Sequence, residues 1–597
     1  MCGIAGELRL DETRPQIGVM QAMLGCLRGR GPDHEGVYVK GAVLLGHRRL
    51  SIIDLSAAAD QPMHDRDTHS TIVFNGTIYN YPLLRQELQA KGHVFRSHSD
   101  TEVILKAYAE WGEACVEHLL GMFAFAIWDE ATQRLFLARD RLGIKPLYYS
   151  KTAACFRFAS NLQALRAAGA TTEFDPIALH HHFTLHAVVP APRTLLRSVR
   201  KLPPAHTLSI SEDGRLRFRR YWHLRAMRPP QPKSEAEWLE VVHQALRTAV
   251  ERRLRIADVP VGVLLSGGLD SSLLVALLAE SGADRLKTFT IGFEDQPEEK
   301  GSEFEYSDPV AERYTTEHHK FEIPNNEVLH RLPEAVAQMA EPMVAQDAVA
   351  FYLLSEQVSK HVKAVQSGQG ADEVFGGYFW YPKMAGAKGA PVDRFRPFYF
   401  DRDHAEYLRL VSPRYACGDV TSAYISARLQ EPEAEEFIDQ VLRLDVTTLI
   451  VDDPVKRVDN MTMAWGLEAR VPFLDHELVE LAASMPPELK LRDGGKYALK
   501  RVARGRLPDA VIDRKKGYFP VPALKYVRGQ AYDFMADILN SQACRERGLL
   551  QREYVDELLS NPESEQAFTA IRGNKLWHLA VLELWLQQNV DRLPSCR

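Results

Sequence analysis

One segment restricts the fold of this chain more than any other: residues 261–278, with the sequence VGVLLSGGLDSSLLVALL. Its first five residues form a continuous apolar run, which is typical of parallel strands buried on both faces. A serine and two glycines follow, and a stretch of helical composition begins directly after them. A second short apolar run, LKTFTIGF at residues 286–293, comes after that helix. This alternation predicts an α/β domain in which helices cover a parallel sheet.

The turn between that strand and that helix also predicts a phosphate site. A helix N-terminus after a glycine-rich turn presents free N–H groups and a partial positive charge, and both attract phosphate. The lysine of GxxxxGK[ST] phosphate loops is missing, and an acid, Asp270, stands inside the loop. An acid at this place indicates a divalent cation, most simply Mg²⁺ on pyrophosphate. The alternative is a tight strand–helix turn whose serines have no function.

The length and composition of the chain limit the other possibilities. A chain of 597 residues is too long for one hydrophobic core, so we expect at least two domains. A net charge of −6 argues against nucleic acid or an anionic membrane as a partner. No apolar run reaches the roughly 18 residues of a membrane span. Seven scattered cysteines argue against a disulfide framework and fit a cytoplasmic location.

A proline-rich segment divides the chain into two parts. RPPQP at residues 228–232 predicts a stiff linker, which we place at residues 226–235. Ser234, with Glu237 three residues later, predicts the N-cap of a helix that begins the second part. We therefore expect one domain before the linker and another at residues 236–597.

The first part, residues 2–225, has a strand-rich pattern. TIVFNG predicts a strand that enters an Asn-Gly turn at residues 75–76. YPLLRQELQAKG predicts an amphipathic helix that Gly92 closes. Residues 121–150 predict three strands joined by turns, and thus antiparallel pairing.

Two further features of the first part each allow two interpretations. Cys2 follows the initiator methionine, and removal of Met1 would leave a thiol and a free α-amine on one residue. That amine, with a pKa of about 7.7–8.0, could act as the base for the thiol; an ordinary buried cysteine is the alternative.

The histidines at 180–182 suggest a metal, but adjacent side chains point in different directions, which favours a solvated or packed cluster.

Several motifs in register give the chain a resemblance to a known family. SGGLDS is similar to the pyrophosphate loop of enzymes that attack the α-phosphate of ATP. With RGRGPDHEG, GHRRLSIIDL, FNGTIYN, HSDTEVIL and ARDRLGIKPLYY, the chain resembles the asparagine-synthetase-like, glutamine-dependent class II amidotransferases over nearly all its length. The resemblance implies an α+β N-terminal-nucleophile glutaminase domain, with antiparallel sheets sandwiched by helices, followed by an α/β synthetase domain with the pyrophosphatase loop. It implies ATP and Mg²⁺ as cofactors and small-molecule substrates: glutamine, ATP and a carboxylic acid. The oligomeric state is open, with a homodimer as one candidate.

The resemblance also implies roles for residues of the glutaminase domain. Cys2 would attack the glutamine amide, and Asn75 with Gly76 would form the oxyanion hole. Arg49 would hold the glutamine α-carboxylate and Asp100 its ammonium. The implied glutamine site comprises Arg49, Leu50, Ser51, Ile52, Ile53, Asn75, Gly76, Thr77 and Asp100.

A second set of residues is implied for the synthetase domain. The ATP and pyrophosphate site would comprise Leu265, Ser266, Gly267, Gly268, Asp270, Ser271, Ile291, Ser367, Gly368 and Lys496. Asp270 and Asp372 would bind Mg²⁺, and Lys496 would neutralise the departing pyrophosphate. The signature at residues 457–475 is interpreted mainly as scaffolding.

Two departures from the family pattern bear on the substrate. Thr77 replaces a glutamate that helps to bind glutamine, and Gln369 replaces an acid of asparagine synthetases. A neutral amide cannot act as a general base, so Gln369 indicates a different acceptor. With residues 341–370, these positions resemble most closely the bacterial N-acetylglutaminylglutamine amidotransferases, which produce a compatible solute for osmotic stress. Aspartate is the alternative acceptor. The aromatic residues 378–381 could line a larger pocket or form core.

Two other functions deserve comparison with this one. A transferase that joins the same glutaminase to a phosphoribosyl or phosphosugar site is disfavoured, because adenylation chemistry has no use there. A binding or regulatory protein without catalysis is disfavoured because the motif residues, from Cys2 to Lys496, are intact.

Overall fold

The computed structural model of the chain describes residues 2–283, 285–295, 300–514 and 521–592. Within these residues the strands form three sheets, two antiparallel in the first part of the chain and one parallel in the second. One of the seven cysteines, Cys596, lies outside the described residues. No helix in the described part of the chain is long and apolar enough to cross a bilayer.

The first antiparallel sheet contains six strands: β1 (Gly3–Arg9), β2 (His34–Lys40), β3 (Val43–Arg49), β8 (Tyr148–Lys151), β9 (Cys155–Ala159) and β10 (Arg200–Lys201). The second contains β4 (Met63–Asp65), β5 (Ser70–Ile78), β6 (Gly121–Asp129), β7 (Arg134–Arg139), β11 (His206–Ile210) and β12 (Leu216–Arg220). Their orders are β10-β8-β9-β1-β3-β2 and β12-β11-β7-β6-β5-β4.

Alternating side chains make these two sheets the inner layers of a sandwich. Ile4 of β1 and Val73 of β5 belong to one core between the sheets. Phe74, on the opposite face of β5, packs with the helices behind the second sheet. Ala5 of β1 packs with the helices behind the first sheet. Because successive strand residues face opposite sides, each sheet buries both faces. The expected antiparallel sheets sandwiched by helices are confirmed.

The third sheet contains β13 (Val261–Leu264), β14 (Lys287–Phe293), β15 (Glu317–Ile323), β16 (Ala364–Gln366) and β17 (Glu468–Arg470). Its order is β15-β14-β13-β16-β17, and all neighbours run parallel. Two separate hydrophobic clusters cover its two faces. The predicted α/β domain is confirmed, and it brings the carboxyl ends of β13 and β16 side by side.

Helices make up the outer layers of both parts. They are α1 (Ile17–Gly25), α2 (Tyr81–Ala90), α3 (Asp100–Trp111), α4 (Cys115–His118), α5 (Leu162–Ala167), α6 (Pro176–Thr184), α7 (Glu235–Arg255), α8 (Leu269–Glu280), α9 (Phe304–Arg313), α10 (Asn325–Gln338), α11 (Asp347–Val358), α12 (Ala371–Phe375), α13 (Trp380–Gly386), α14 (Pro391–Tyr399), α15 (His404–Leu410), α16 (Val420–Leu429), α17 (Phe437–Leu444), α18 (Lys456–Met463), α19 (His476–Ala483), α20 (Glu488–Leu491), α21 (Tyr497–Ala503), α22 (Asp509–Ile512), α23 (Pro522–Lys525), α24 (Gly529–Asn540), α25 (Gln542–Arg547), α26 (Arg552–Ser560) and α27 (Lys575–Leu586). Two π-helical segments, Asp445–Leu449 and Val451–Val455, join α17 to α18.

Local predictions near the linker agree with the structure. Ser234 caps α7 through a capping box with Glu237. The linker itself is held by the second part of the chain, because Ala226 forms a β-bridge with Ala434 and Arg228 donates to Asp439.

Two predictions about the first part need correction. The Asn-Gly pair at 75–76 forms no turn, because β5 runs straight through it to Ile78 and pairs with β6 along this stretch. The three strands at 121–150 exist, but only β6 and β7 pair; β8 belongs to the other sheet. Both errors have one cause: local sequence cannot reveal a partner strand that arrives from a distant part of the chain.

The three adjacent histidines lie buried on α6. His180 and His181 each place Nδ1 within hydrogen-bond distance of the Thr421 hydroxyl. His180 Nε2 also lies 3.0 Å from His404 Nδ1. Of the two arrangements that the sequence favoured, solvated or packed, the structure has the packed one.

Candidate active sites

The predicted nucleophile directly precedes β1 of the first antiparallel sheet and contacts β5 of the second. Cys2 is 7% exposed, and its main-chain nitrogen lies 3.0 Å from Asn75 Oδ1. The other amide atom, Asn75 Nδ2, is buried and has no hydrogen-bond partner among the described residues. A buried donor without a partner is costly unless a ligand receives it. The amide is thus placed to hold the Cys2 nitrogen with one atom and to offer the other to a substrate.

Burial also determines the protonation state of Cys2. It raises the pKa of the thiol above its ordinary value, although the Arg49 charge and a main-chain contact at Leu50 act in the opposite direction. The thiol is therefore protonated at neutral pH, and an attack on an amide needs a base beside it.

Gly76 must be glycine because of a close approach between strands. A Cβ at this position would lie 2.2 Å from the carbonyl oxygen of Met122 on β6. This requirement, and not a turn, explains the Asn-Gly pair. Strand β5 stays regular at Gly76, so that Asn75 and Thr77 face the same side.

The loop after β3 contributes four residues of the predicted glutamine site: Leu50, Ser51, Ile52 and Ile53. Arg49 orders this loop, because its guanidinium donates to the carbonyls of Ile53 and Ser56 and to the carboxylate of Asp60 at 2.7 Å. The contact that the resemblance implies, from Arg49 to the glutamine carboxylate, stays a prediction.

At the other end of the predicted glutamine site, carboxylates from two parts of the chain meet around Thr77. The Thr77 hydroxyl donates to both oxygens of Glu468 on β17, at 3.2 and 3.3 Å. Asp100, at the N-terminus of α3, accepts from the main-chain N–H of Ile78 at 3.0 Å. Burial and, to a smaller extent, the Glu468 charge raise the pKa of Asp100 to about 7. Burial would also raise the pKa of Glu468, but the positive charges around it, Arg470 before Lys145, together outweigh burial and lower this pKa to about 2.

Sequence reasoning missed Glu468, since the segment that contains it was interpreted mainly as scaffolding. Asp459 of the same segment, on α18, accepts from Arg30 at 2.8 Å and from Lys145 at 3.1 Å. Both cations belong to the first part of the chain, and all three side chains are buried. The segment therefore joins the two parts of the chain beside Cys2. No pattern in the sequence predicts this contact between the two parts of the chain.

The glycine-rich loop after β13 has the geometry expected of a phosphate site. Gly267 has φ +74°, and a Cβ there would lie 2.7 Å from Tyr306 Cβ and 2.8 Å from the Ser307 nitrogen. The Ser271 hydroxyl accepts from the Ser266 N–H at 3.2 Å. These contacts turn the chain directly into α8, whose N-terminal N–H groups face the site.

Two predicted metal ligands and the predicted pyrophosphate lysine meet at this loop. Lys496 Nζ lies 2.6 Å from Asp270 Oδ2 and 2.8 Å from Asp372 Oδ1. Burial opposes the charge of Lys496, but the two carboxylates raise the pKa of this amine above its ordinary value. Gly377 permits the cluster, since a Cβ there would lie 2.2 Å from Asp372 Oδ1 and from Lys496 Cε. Two carboxylates beside a helix N-terminus suit Mg²⁺, which prefers oxygen ligands.

A cavity of about 750 Å³ begins at this loop. The predicted nucleotide residues that line it are Leu265, Ser266, Gly268, Asp270, Ser271, Ile291, Ser367 and Gly368; Gln369 and Asp372 line it too. Gly267 and Lys496 are not among the lining residues, but Lys496 contacts Asp270 and Asp372, which are. Away from the loop the cavity reaches Tyr378, Trp380, Tyr399 and Asp445. Of the four aromatic residues at 378–381, two line the cavity, Phe379 is exposed and Tyr381 is buried.

Comparison with known proteins agrees with this geometry. The family model described as asparagine synthase matches residues 241–587, and the one described as glutamine amidotransferase domain matches residues 1–222. The protein called asparagine synthetase [glutamine-hydrolyzing] 1 of Bacillus subtilis (strain 168) is 33% identical, and the alignment covers 99% of this chain and 97% of that protein.

The chain belongs to the asparagine synthetase family. A second family member, asparagine synthetase [glutamine-hydrolyzing] 3 of Bacillus subtilis (strain 168), is also 33% identical, over 98% of each chain. Asparagine synthetase B [glutamine-hydrolyzing] of Escherichia coli (strain K12) is 29% identical, over 89% of this chain and 85% of that protein. Membership of the asparagine synthetase family confirms the broad resemblance and the fold class.

Proposed function

We propose that the chain is an ATP-dependent amide ligase that takes its nitrogen from glutamine. Residues 2–225 form the glutaminase and residues 236–597 the synthetase, with residues 226–235 between them. The glutaminase releases ammonia, and the synthetase converts a carboxylate into an acyl-AMP that the ammonia then amidates, with AMP and pyrophosphate as products. The observation that supports this most strongly is the cluster of Lys496, Asp270 and Asp372 beside a glycine-rich loop and a helix N-terminus.

In the glutaminase step, the protonated thiol of Cys2 needs a base, and after removal of Met1 its own α-amine provides one. The contact of 3.0 Å between the Cys2 nitrogen and Asn75 Oδ1 would hold this amine in place. Asn75 Nδ2 and the Gly76 N–H would donate to the oxyanion of the tetrahedral intermediate. Asp100, aided by Glu468, would attract the glutamine ammonium.

In the synthetase step, the carboxylate of the acceptor attacks the α-phosphorus of ATP, and pyrophosphate leaves. The N-terminus of α8 and the Lys496 ammonium would stabilise the charge that develops on the leaving group. Asp270 and Asp372 would hold Mg²⁺, which neutralises pyrophosphate charge when it is bound.

We further propose N-acetylglutaminylglutamine as the acceptor, with osmoprotectant synthesis as the role. Small-molecule pockets span roughly 300–1,000 Å³, and this cavity of about 750 Å³ lies well above the lower limit. The cavity extends from the phosphate loop to an aromatic wall, so a nucleotide and an acceptor larger than one amino acid can share it. Gln369 supports the same acceptor, because a neutral side chain can pair with a peptide amide without leaving a buried charge unpaired.

Asp445, in the wall away from the loop, supports a neutral acceptor in a second way. Burial raises the pKa of Asp445 to about 8, despite the hydroxyls of Tyr381 and Tyr399 that donate to its Oδ2. Its Oδ1 is buried without a hydrogen-bond partner among the described residues. A carboxyl group that is mostly protonated at pH 7 can exchange hydrogen bonds with an amide. It offers little attraction to the ammonium of free aspartate.

The deciding experiment measures pyrophosphate release with glutamine and Mg-ATP, while each acid is supplied in turn. We expect turnover with N-acetylglutaminylglutamine and little with aspartate. Asp445→Asn, which keeps size and hydrogen bonding, should retain turnover of the dipeptide, whereas Asp445→Leu should raise its KM. Turnover with aspartate and none with the dipeptide would overturn the acceptor and favour asparagine synthesis. ADP instead of AMP as product would overturn the proposed acyl-AMP intermediate.

A further inference from the structure

A second cavity, of about 460 Å³, lies where the two parts of the chain meet. Its walls come from residues 141–224 on one side and residues 424–452 on the other. None of the residues assigned above to glutamine, ATP or the acceptor lines it. The cavity therefore lies outside both active sites.

Four arginines line this cavity: Arg141, Arg220, Arg428 and Arg443. Acidic residues line it as well, but other cations already pair with two of them. Asp452 accepts from Lys201 at 2.8 Å, and Glu433 lies 3.0 Å from Arg225. The third acid, Glu431, pairs with Arg428.

Three of the arginines form no ion pair with a carboxylate of the described residues, although the charges of Glu431 and Glu433 act on Arg443 from beyond ion-pair distance. Arg141 donates to the carbonyls of Leu119 and Glu117, and Arg443 to those of Pro432 and Glu431. For Arg141, Arg220 and Arg443, no carboxylate of the described residues lies within ion-pair distance. Arg141 is 8% exposed, and its Nε has no hydrogen-bond partner among the described residues. The Nε of Arg428 is buried and unpartnered in the same way.

We propose that this cavity binds a small multivalent anion, a phosphate or a polycarboxylate. Guanidinium groups match the oxygens of phosphates and carboxylates with paired hydrogen bonds. Several of them around one cavity would share an anion and repel cations. The buried and unpartnered Nε–H groups supply donors that a bound oxyanion would satisfy.

The cavity also shares a wall with the synthetase site. Thr447, Thr448 and Asp452 of the π-helical segments face the anion cavity. Leu449 and Asp453 of the same segments face the larger cavity. An anion bound in the second cavity therefore contacts the same two π-helical segments that line the larger cavity, where the acceptor would bind.

The test is calorimetric titration of the full chain with inorganic phosphate and, in a separate arm, with citrate. A non-hydrolysable ATP analogue with Mg²⁺ fills the phosphate loop throughout, and sodium chloride keeps the ionic strength equal. We expect one site per chain for at least one of the two anions. Which anion binds identifies the chemistry as phosphate or carboxylate.

Arg220→Gln is the informative variant, because this side chain is exposed and its loss leaves the core intact. It should weaken binding by roughly tenfold, the effect of one charge-assisted hydrogen bond. Arg219→Gln is the matched control: the neighbouring arginine on β12 pairs with Glu117 and does not line the cavity. Arg443→Gln should weaken binding as well, with circular dichroism to verify folding.

Absence of binding by both anions would overturn the proposal. So would equal affinities for the unaltered chain and Arg220→Gln, or an equal loss in Arg219→Gln. The experiment measures heat of binding and not turnover. Its outcome therefore does not depend on which acceptor the synthetase uses.

Discussion

Protonation of Asp100 should make glutamine binding depend on pH. The pKa of this carboxyl group is raised to about 7, chiefly by burial. Only the ionised form attracts the ammonium of glutamine, so the bound complex holds Asp100 as a carboxylate. A group that must lose its proton to bind a ligand weakens the affinity as pH falls below its pKa.

The magnitude follows from the pKa. With a free-site pKa of about 7, roughly one tenth of Asp100 is ionised at pH 6 and nine tenths at pH 8. The dissociation constant for glutamine should therefore be roughly tenfold higher at pH 6 than at pH 8. At pH 7, binding should release about half a proton per chain. Most of the change lies between pH 6 and pH 7.

The assay is calorimetric titration of the Cys2→Ala chain with glutamine between pH 6 and pH 8, because this variant binds without turnover. Repeating the titration in buffers of different ionisation enthalpy measures the proton release. In Asp100→Asn, which keeps the size and loses the titration, affinity should be lower and nearly independent of pH. A flat profile in the Cys2→Ala chain, or a tenfold dependence that persists after Asp100→Asn, would refute the reasoning.

Three further predictions concern the two sites. Cys2→Ala should abolish glutamine-dependent ligation and leave ammonia-dependent ligation intact; loss of both at saturating ammonia would contradict the two-site arrangement. Asn75→Ala should lower the kcat of glutamine hydrolysis by about 10²–10³-fold, as expected for one oxyanion donor. Ammonia-dependent pyrophosphate release should stay unchanged. Equal loss in both assays would indicate misfolding instead. Gly377→Ala should block pyrophosphate release, since the added Cβ would lie 2.2 Å from Asp372 Oδ1. Basal glutamine hydrolysis should persist in this variant. Full ligation by Gly377→Ala would contradict the assigned cluster of Asp270, Asp372 and Lys496.

The sequence alone determined the chemistry-bearing loops and the fold class. The apolar run before SGGLDS and the alternation after it require a parallel sheet, because continuous burial and crossover helices go together. The capping box of Ser234 and the helix that Gly92 closes were predictable for the same reason: each depends on residues a few positions apart. Lys496 and Asp372 were identified through the family resemblance, and the structure brings them to the loop.

Long-range proximity was decided only by the tertiary structure. The Asn-Gly pair at 75–76 has the composition of a turn, but pairing with β6 over its whole length keeps it extended. Glu468 joins Thr77 across 391 positions of sequence, and its charge reaches Asp100. Burial raises the pKa values of Asp100 and Asp445, and burial depends on which elements pack together. Short-range order follows from neighbouring residues, whereas electrostatics and shared cavities require groups that only the folded chain brings within a few ångströms.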